Sequence, residues 1–107
     1  AALRARRPEV KVSVAEPFAT IAGLDTPADA EIVRVAVDVV KRLTRHGEAV
    51  GVPYGTNASA LAEAGVPTIV LGPGDIAQAH TADEWVDLAQ VETAAEVYAQ
   101  IALAHPA

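Results

Sequence analysis

The sequence predicts an α/β fold: a partial three-layer α/β/α domain made of a strand-helix-strand unit and two long helices, with one further strand from a lid domain. Three observations lead there. Residues 68–71, Thr-Ile-Val-Leu, form a short β-branched apolar run that stops at Gly72, the pattern of a strand buried in a parallel sheet. Residues 49–52, Ala-Val-Gly-Val, read as a second such strand, and the stretch between them is long enough for a right-handed parallel crossover. Two longer segments, residues 26–45 and 87–103, carry apolar positions at helical spacing.

Taken in order, residues 9–14 alternate charged or polar with apolar side chains between Pro8 and Pro17, as a strand with one face on a core does. Residues 18–25 include Gly23 and keep no steady period, which suits a crossover between substructures. Thr26 caps a helix with Pro27 at its first position and Asp29 three residues after the cap. The helix is expected to reach Arg45, with Ile32, Val35, Ala36, Val39 and Leu43 on the buried face. Lys41, Arg42, Arg45 and His46 suit its negative end, and Gly47 supplies the left-handed residue that stops it. Asn57 caps a second helix that Gly65-Val66-Pro67 closes. Asp87 and Gln90 form a capping box for the last helix, which buries Val91, Ala94, Ala95, Tyr98 and Ile101.

At 107 residues the chain is one domain or part of one. It starts Ala1-Ala2-Leu3 and has no methionine, so it reads as a processed product or a piece of a longer protein. A net charge of −6 and a pI near 4.8 argue against nucleic acid as a partner, which requires a basic face. The basic cluster Arg4, Arg6 and Arg7 reads as solvated surface. There is no cysteine, so neither disulfides nor thiolate metal sites arise. No apolar run approaches the length of about 18 residues that a bilayer requires, so no membrane partner is expected.

Sites in open α/β sheets lie just beyond the carboxyl ends of strands. Gly72-Pro73-Gly74 stands at such an end, and its glycines let the chain turn sharply and its amides approach a ligand; a plain tight turn is the other reading. His80 follows in the loop, where histidine serves as a metal ligand or as an acid or base. A lone loop histidine is also a common structural residue, because ligand sets need three or four donors. His46 at a helix end and His105 beside Pro106 are not expected to converge on it. Glu84 either caps Thr81 or makes an outer hydrogen bond that orients a metal-bound histidine. Asp75 and Asp83 read as solvated loop acids, Trp85 as core packing, and Thr56 as a loop residue or an N-terminal helix contact. A phosphate or nucleotide site at the Gly72 turn lacks both a neighbouring lysine and the Gly-x-Gly-x-x-Gly spacing.

Gly72-Pro73-Gly74, followed by Ala79-His80-Thr81-Ala82-Asp83-Glu84-Trp85-Val86 and preceded by Gly55-Thr56-Asn57, resembles the C-terminal part of the M20 family of zinc peptidases and aminoacylases. That family includes carboxypeptidases, acetylornithine deacetylase and succinyl-diaminopimelate desuccinylase. The resemblance is specific over residues 50–98 and looser over residues 9–47. It implies that residues 1–24 end a lid and dimerisation domain, and that residues 25–107 are the C-terminal part of a catalytic zinc-hydrolase domain. It further implies two zinc ions that share a water attacking an amide carbonyl, with His80 as the last metal ligand. The general base, a glutamate, would lie outside this chain, so no catalytic residue is assigned within it. Gly55 and Thr56 would seat the substrate or its oxyanion, and Gly72, Pro73 and Gly74 would wall the substrate carboxylate. Asn57 stands where the family usually has an aspartate, so no carboxylate role is carried to that position.

The expected substrate is a small N-acyl amino acid or peptide. The remainder of a parent chain is the expected partner, with a homodimer through the lid as a further one. The isolated chain is expected to bind zinc weakly or not at all and to be inactive, and localisation is left open with the cytoplasm favoured. The alternative is a non-catalytic α/β segment acting through self-association, because an incomplete sheet exposes an edge and apolar faces.

Overall fold

The computed structural model describes residues 6–7 and 9–104. The readings for Arg4, Pro8 and His105 fall outside them. Helix α1 spans Glu31–Thr44, α2 spans Ala58–Glu63, a single 3₁₀ turn spans Ile76–Gln78, and α3 spans Leu88–Ala104.

Helix α1 starts later than its sequence signals suggest. The Ala30 amide donates to the Pro27 carbonyl at 3.0 Å, so Pro27 opens a turn before the helix, which begins after Ala30. The Thr26 hydroxyl does not cap it; it donates to the Thr68 carbonyl and ties the helix entry to residues 68–71. Glu31 in the first turn and Lys41 and Arg42 in the last suit the helix dipole. The stop is Arg45, left-handed at φ 63°, whose amide donates to the Lys41 carbonyl, so Gly47 does not have the role expected of it. Gly47 is instead needed for close approach: a Cβ there would lie 3.0 Å from Lys41 Cγ and 3.2 Å from the Val37 carbonyl oxygen.

Helix α2 ends as its sequence predicts. Gly65 is left-handed at φ 84°, and the Gly65 and Val66 amides donate back to the Ala62 and Leu61 carbonyls. At its start Asn57 makes no side-chain cap; the Thr56 hydroxyl accepts from the Ala58 amide at 3.1 Å. Helix α3 is capped by Asp87, whose Oδ1 accepts from the Ala89 amide at 2.9 Å, while Gln90 turns away from the expected box to bond the Gly74 amide.

The core lies where α1 packs on α3, and its buried apolar side chains are Val33, Ala36, Val39 and Val97. Only Ala36 and Val39 belong to the face expected of α1, and Leu43 is exposed. On α3 Val97 is buried, while Val91 and Tyr98 are exposed. Helix α3 carries apolar residues around much of its circumference, and the single apolar face of α1 is wide enough to include Val33 as well as Ile32 and Val35, so spacing alone does not select which part finds a partner.

The α/β expectation is overturned. Among the described residues there is no strand and no sheet; residues 9–14, 49–52 and 68–71 have irregular backbone. A strand exists only through hydrogen bonds to a neighbour, and isolated pairs of short strands are marginal in water. Parallel sheets also persist only with both faces covered, whereas here Val50, Val52 and Val70 stand exposed. The β-branched composition is present, but no covered neighbour among the described residues turns it into a ladder.

The same lack of partners governs the dimensions. The radius of gyration is 19.6 Å, with extents of 61 × 36 × 20 Å, against about 13 Å for a compact domain of this size. Val14 and Phe18 are almost wholly exposed, and Trp85, read as core packing, is 59% exposed.

Two substitutions check where the core lies. Val39, 1% exposed, should lose about 2 kcal/mol as Val39→Ala, since two buried carbons go and a cavity remains. Val14→Ala, at a position 91% exposed, should change stability by less than about 0.5 kcal/mol. Urea unfolding followed by helical circular dichroism measures both.

Candidate functional site: an apolar groove and the histidine loop

One side of α1 faces an open groove of about 610 Å³. Val33, Ala36, Val37 and Val40 line it from the helix, and residues 24–28, 47–52, 54–56 and 68–71 with Ala22 and Ser59 complete the walls. The Thr26–Thr68 hydrogen bond joins two of these walls. Among the expected site residues, Gly55 and Thr56 lie on this groove. Thr56 is held by the start of α2: its hydroxyl accepts from the Ala58 amide, and its carbonyl accepts from the buried Ser59 hydroxyl at 3.1 Å. An accepting hydroxyl keeps its own proton to donate.

The Gly72-Pro73-Gly74 turn leaves the groove after Leu71 and is fastened by α3. Tyr98 Oη donates to the Leu71 carbonyl at 2.9 Å, and the Gly74 amide donates to Gln90 Oε1 at 2.8 Å. Gly74 has φ 90°, a conformation that glycine takes without strain. Beyond it Asp75 is more than a solvated acid, because its Oδ1 accepts from the Ala77 amide at 2.8 Å and caps the 3₁₀ turn. The Thr81 hydroxyl donates to the Gln78 carbonyl at 2.9 Å and so closes the following bend.

His80 sits in that bend, exposed, with φ 58°. A left-handed non-glycine residue stores about 1–2 kcal/mol of local strain. Glu84 is exposed four residues on, and with no helix over residues 81–84 the capping box with Thr81 does not form. His46 is exposed at the end of α1, where its amide donates to the Thr44 hydroxyl.

The expected site residues thus fall in two places, Gly55 and Thr56 on the groove, and Gly72 to Gly74 with His80 and Glu84 beyond its rim. A hydrolytic metal centre needs at least three protein donors around one point. Among the described residues no three His, Cys, Asp or Glu side chains gather in that way. His80 is a single donor, and the described residues do not make a metal site by themselves. The reading of the sequence missed Gln90 and Tyr98 as parts of this region. Gln90 resembles a capping residue and Tyr98 a core aromatic, and neither reveals a long-range backbone contact through local pattern.

Comparison with known proteins places the chain. Residues 9–104 match peptidase family M20/M25/M40. The chain is 37% identical over 91 residues to an acetylornithine deacetylase of Erwinia tasmaniensis, an alignment covering 85% of this chain and 22% of that protein. An acetylornithine deacetylase of Proteus mirabilis is 37% identical over 101 residues, 94% of this chain and 24% of that protein. An N-acetyl-L-citrulline deacetylase of Xanthomonas campestris pv. campestris is 56% identical over 41 residues, 38% of this chain and 11% of that protein. The chain therefore spans about a fifth of the length of the acetylornithine deacetylases it matches. No solved structure matches it. A match over residues 9–104, reinforced by these deacetylases, makes this chain a member of peptidase family M20/M25/M40.

Proposed function

We propose that the chain is the C-terminal part of a metal-dependent hydrolase that cleaves the amide bond of N-acyl amino acids. Residues 1–24 end a lid domain, residues 25–107 belong to the catalytic domain, zinc is the metal, and His80 is its last protein ligand. The observation that carries this reading is the likeness, over 85% of the chain, to a deacetylase whose name specifies an N-acetyl amino acid. The N-acetyl-L-citrulline deacetylase is a second relative whose name specifies that class.

The geometry of His80 supports the assignment. It holds an exposed loop position at φ 58°, a region that few residues other than glycine enter and that asparagine, aspartate and histidine enter more often than the rest. The other donors of a metal centre belong to the remainder of the parent protein, and no step through the metal is assigned to residues of this chain. Thr56 would donate its hydroxyl proton to the substrate carbonyl as charge develops there, with Gly55 giving it room. The turn at Gly72, Pro73 and Gly74 would meet the substrate carboxylate, and Glu84 would orient the histidine through an outer hydrogen bond.

A second reading, a non-catalytic segment that works by association with a second copy or another protein, is favoured by the exposure of Val14, Phe18 and Ile21. Sedimentation at rising concentration separates the two. A mass that grows with concentration supports association, and a monomer throughout argues against it.

Hydrolysis of a panel of N-acyl amino acids and dipeptides by the full-length protein should stop with a chelator and return with zinc. His80→Ala should lower kcat/KM by more than about 100-fold, and Thr56→Val should lower kcat by roughly 100-fold if its hydroxyl meets the oxyanion. Activity indifferent to chelator and to His80→Ala would refute the reading. His80→Gly should abolish activity yet stabilise the protein by about 1 kcal/mol, since glycine relieves the positive φ. Thermal unfolding beside the same assay records both changes.

A further inference from the structure

We infer that Tyr98 is a positioning residue that aims the backbone amide of Gly72, and that this amide is the donor the turn offers to a substrate carboxylate. The inference rests on the function proposed above and adds the atom that makes the contact.

The turn Gly72-Pro73-Gly74 has few donors. Pro73 has no N–H. The Gly74 amide is already given to Gln90 Oε1 at 2.8 Å. The Gly72 amide is left. It shares a planar peptide unit with the Leu71 carbonyl, and in a trans peptide the C=O and N–H point in opposite directions. Among the described residues there are no cis peptide bonds. Tyr98 Oη holds the Leu71 carbonyl at 2.9 Å from the α3 side. Fixing that oxygen therefore sends the Gly72 N–H away from α3.

No strand ladder orients this peptide, because residues 68–71 are irregular; the tyrosine hydroxyl does that work instead. The contact is close, since a Cβ on Gly72 would lie 3.5 Å from Tyr98 Oη. Gln90 and Tyr98 stand two helical turns apart on α3, about 12 Å along its axis, so they fasten the turn at both ends. The Gln90 bond also clasps the base of the loop that carries His80, which joins Gly74 to the first turn of α3. A carboxylate suits a backbone donor of this kind, because hydrogen bonds to ionised acceptors are about twice as strong as neutral ones.

The test compares Tyr98→Phe with wild type in the full-length protein, on an N-acetyl amino acid and on the same substrate with its carboxylate converted to a carboxamide. The phenylalanine keeps the ring and removes only the hydroxyl. KM for the carboxylate substrate should rise about tenfold with kcat within twofold, and KM for the carboxamide should change little. Gln90→Ala should raise KM for the carboxylate substrate as well, and Gln90→Glu, which keeps an acceptor for the Gly74 amide, should restore it. Unchanged KM in Tyr98→Phe, or an equal change on both substrates, would overturn the inference. If His80→Ala abolishes activity while Tyr98→Phe changes nothing, the inference fails and the proposed function stands. If the wild-type protein hydrolyses neither substrate, both fail.

Discussion

The packing of α1 against α3 is the contact on which the rest of this structure depends. Val33, Ala36 and Val39 of α1 and Val97 of α3 are the buried apolar side chains among the described residues. Several of the irregular segments are attached to one of these helices. Gly47 lets the chain return close along α1, where a side chain would collide with Lys41 and with the Val37 carbonyl. Thr26, just before α1, reaches Thr68, and two side chains of α3 reach Leu71 and Gly74. The irregular segments are thus located by a few polar bonds from helices and not by a sheet.

That arrangement accounts for the groove. A helix whose apolar residues extend beyond one stripe needs more than one covering surface. α1 finds α3 on one side, while Val37 and Val40 face an open volume lined by β-branched segments. The extended dimensions and the exposure of Phe18 and Ile21 express the same shortage of partners. The chain spans about a fifth of the length of the acetylornithine deacetylases it matches.

The histidine loop is organised differently, by local bonds. Asp75 caps one 3₁₀ turn, Thr81 closes the next bend, and Gln90 clasps the base to α3. Together they hold His80 at a positive φ that its side chain disfavours. Strain of this kind persists only where surrounding bonds over-determine the backbone, and it concentrates at functional positions.

How much was legible in the sequence follows the range of each interaction. Helices α2 and α3, the close of α2 at Gly65 and the Asp87 cap could be read directly, because each depends on residues within one turn of one another. The family could be read as well, since Gly72-Pro73-Gly74 and the His80 segment are contiguous. Residues 49–52 and 68–71 have strand composition, yet a strand is a property of two neighbours, and their surroundings leave them unpaired in any sheet. The buried face of α1, the exposed place of Trp85, and the use of Gln90 and Tyr98 as backbone anchors were likewise decided only by tertiary structure. Local sequence sets which hydrogen bonds and turns a segment can form. Which apolar face is covered, and which polar side chain crosses to a distant peptide, is settled by the partners that folding brings within reach.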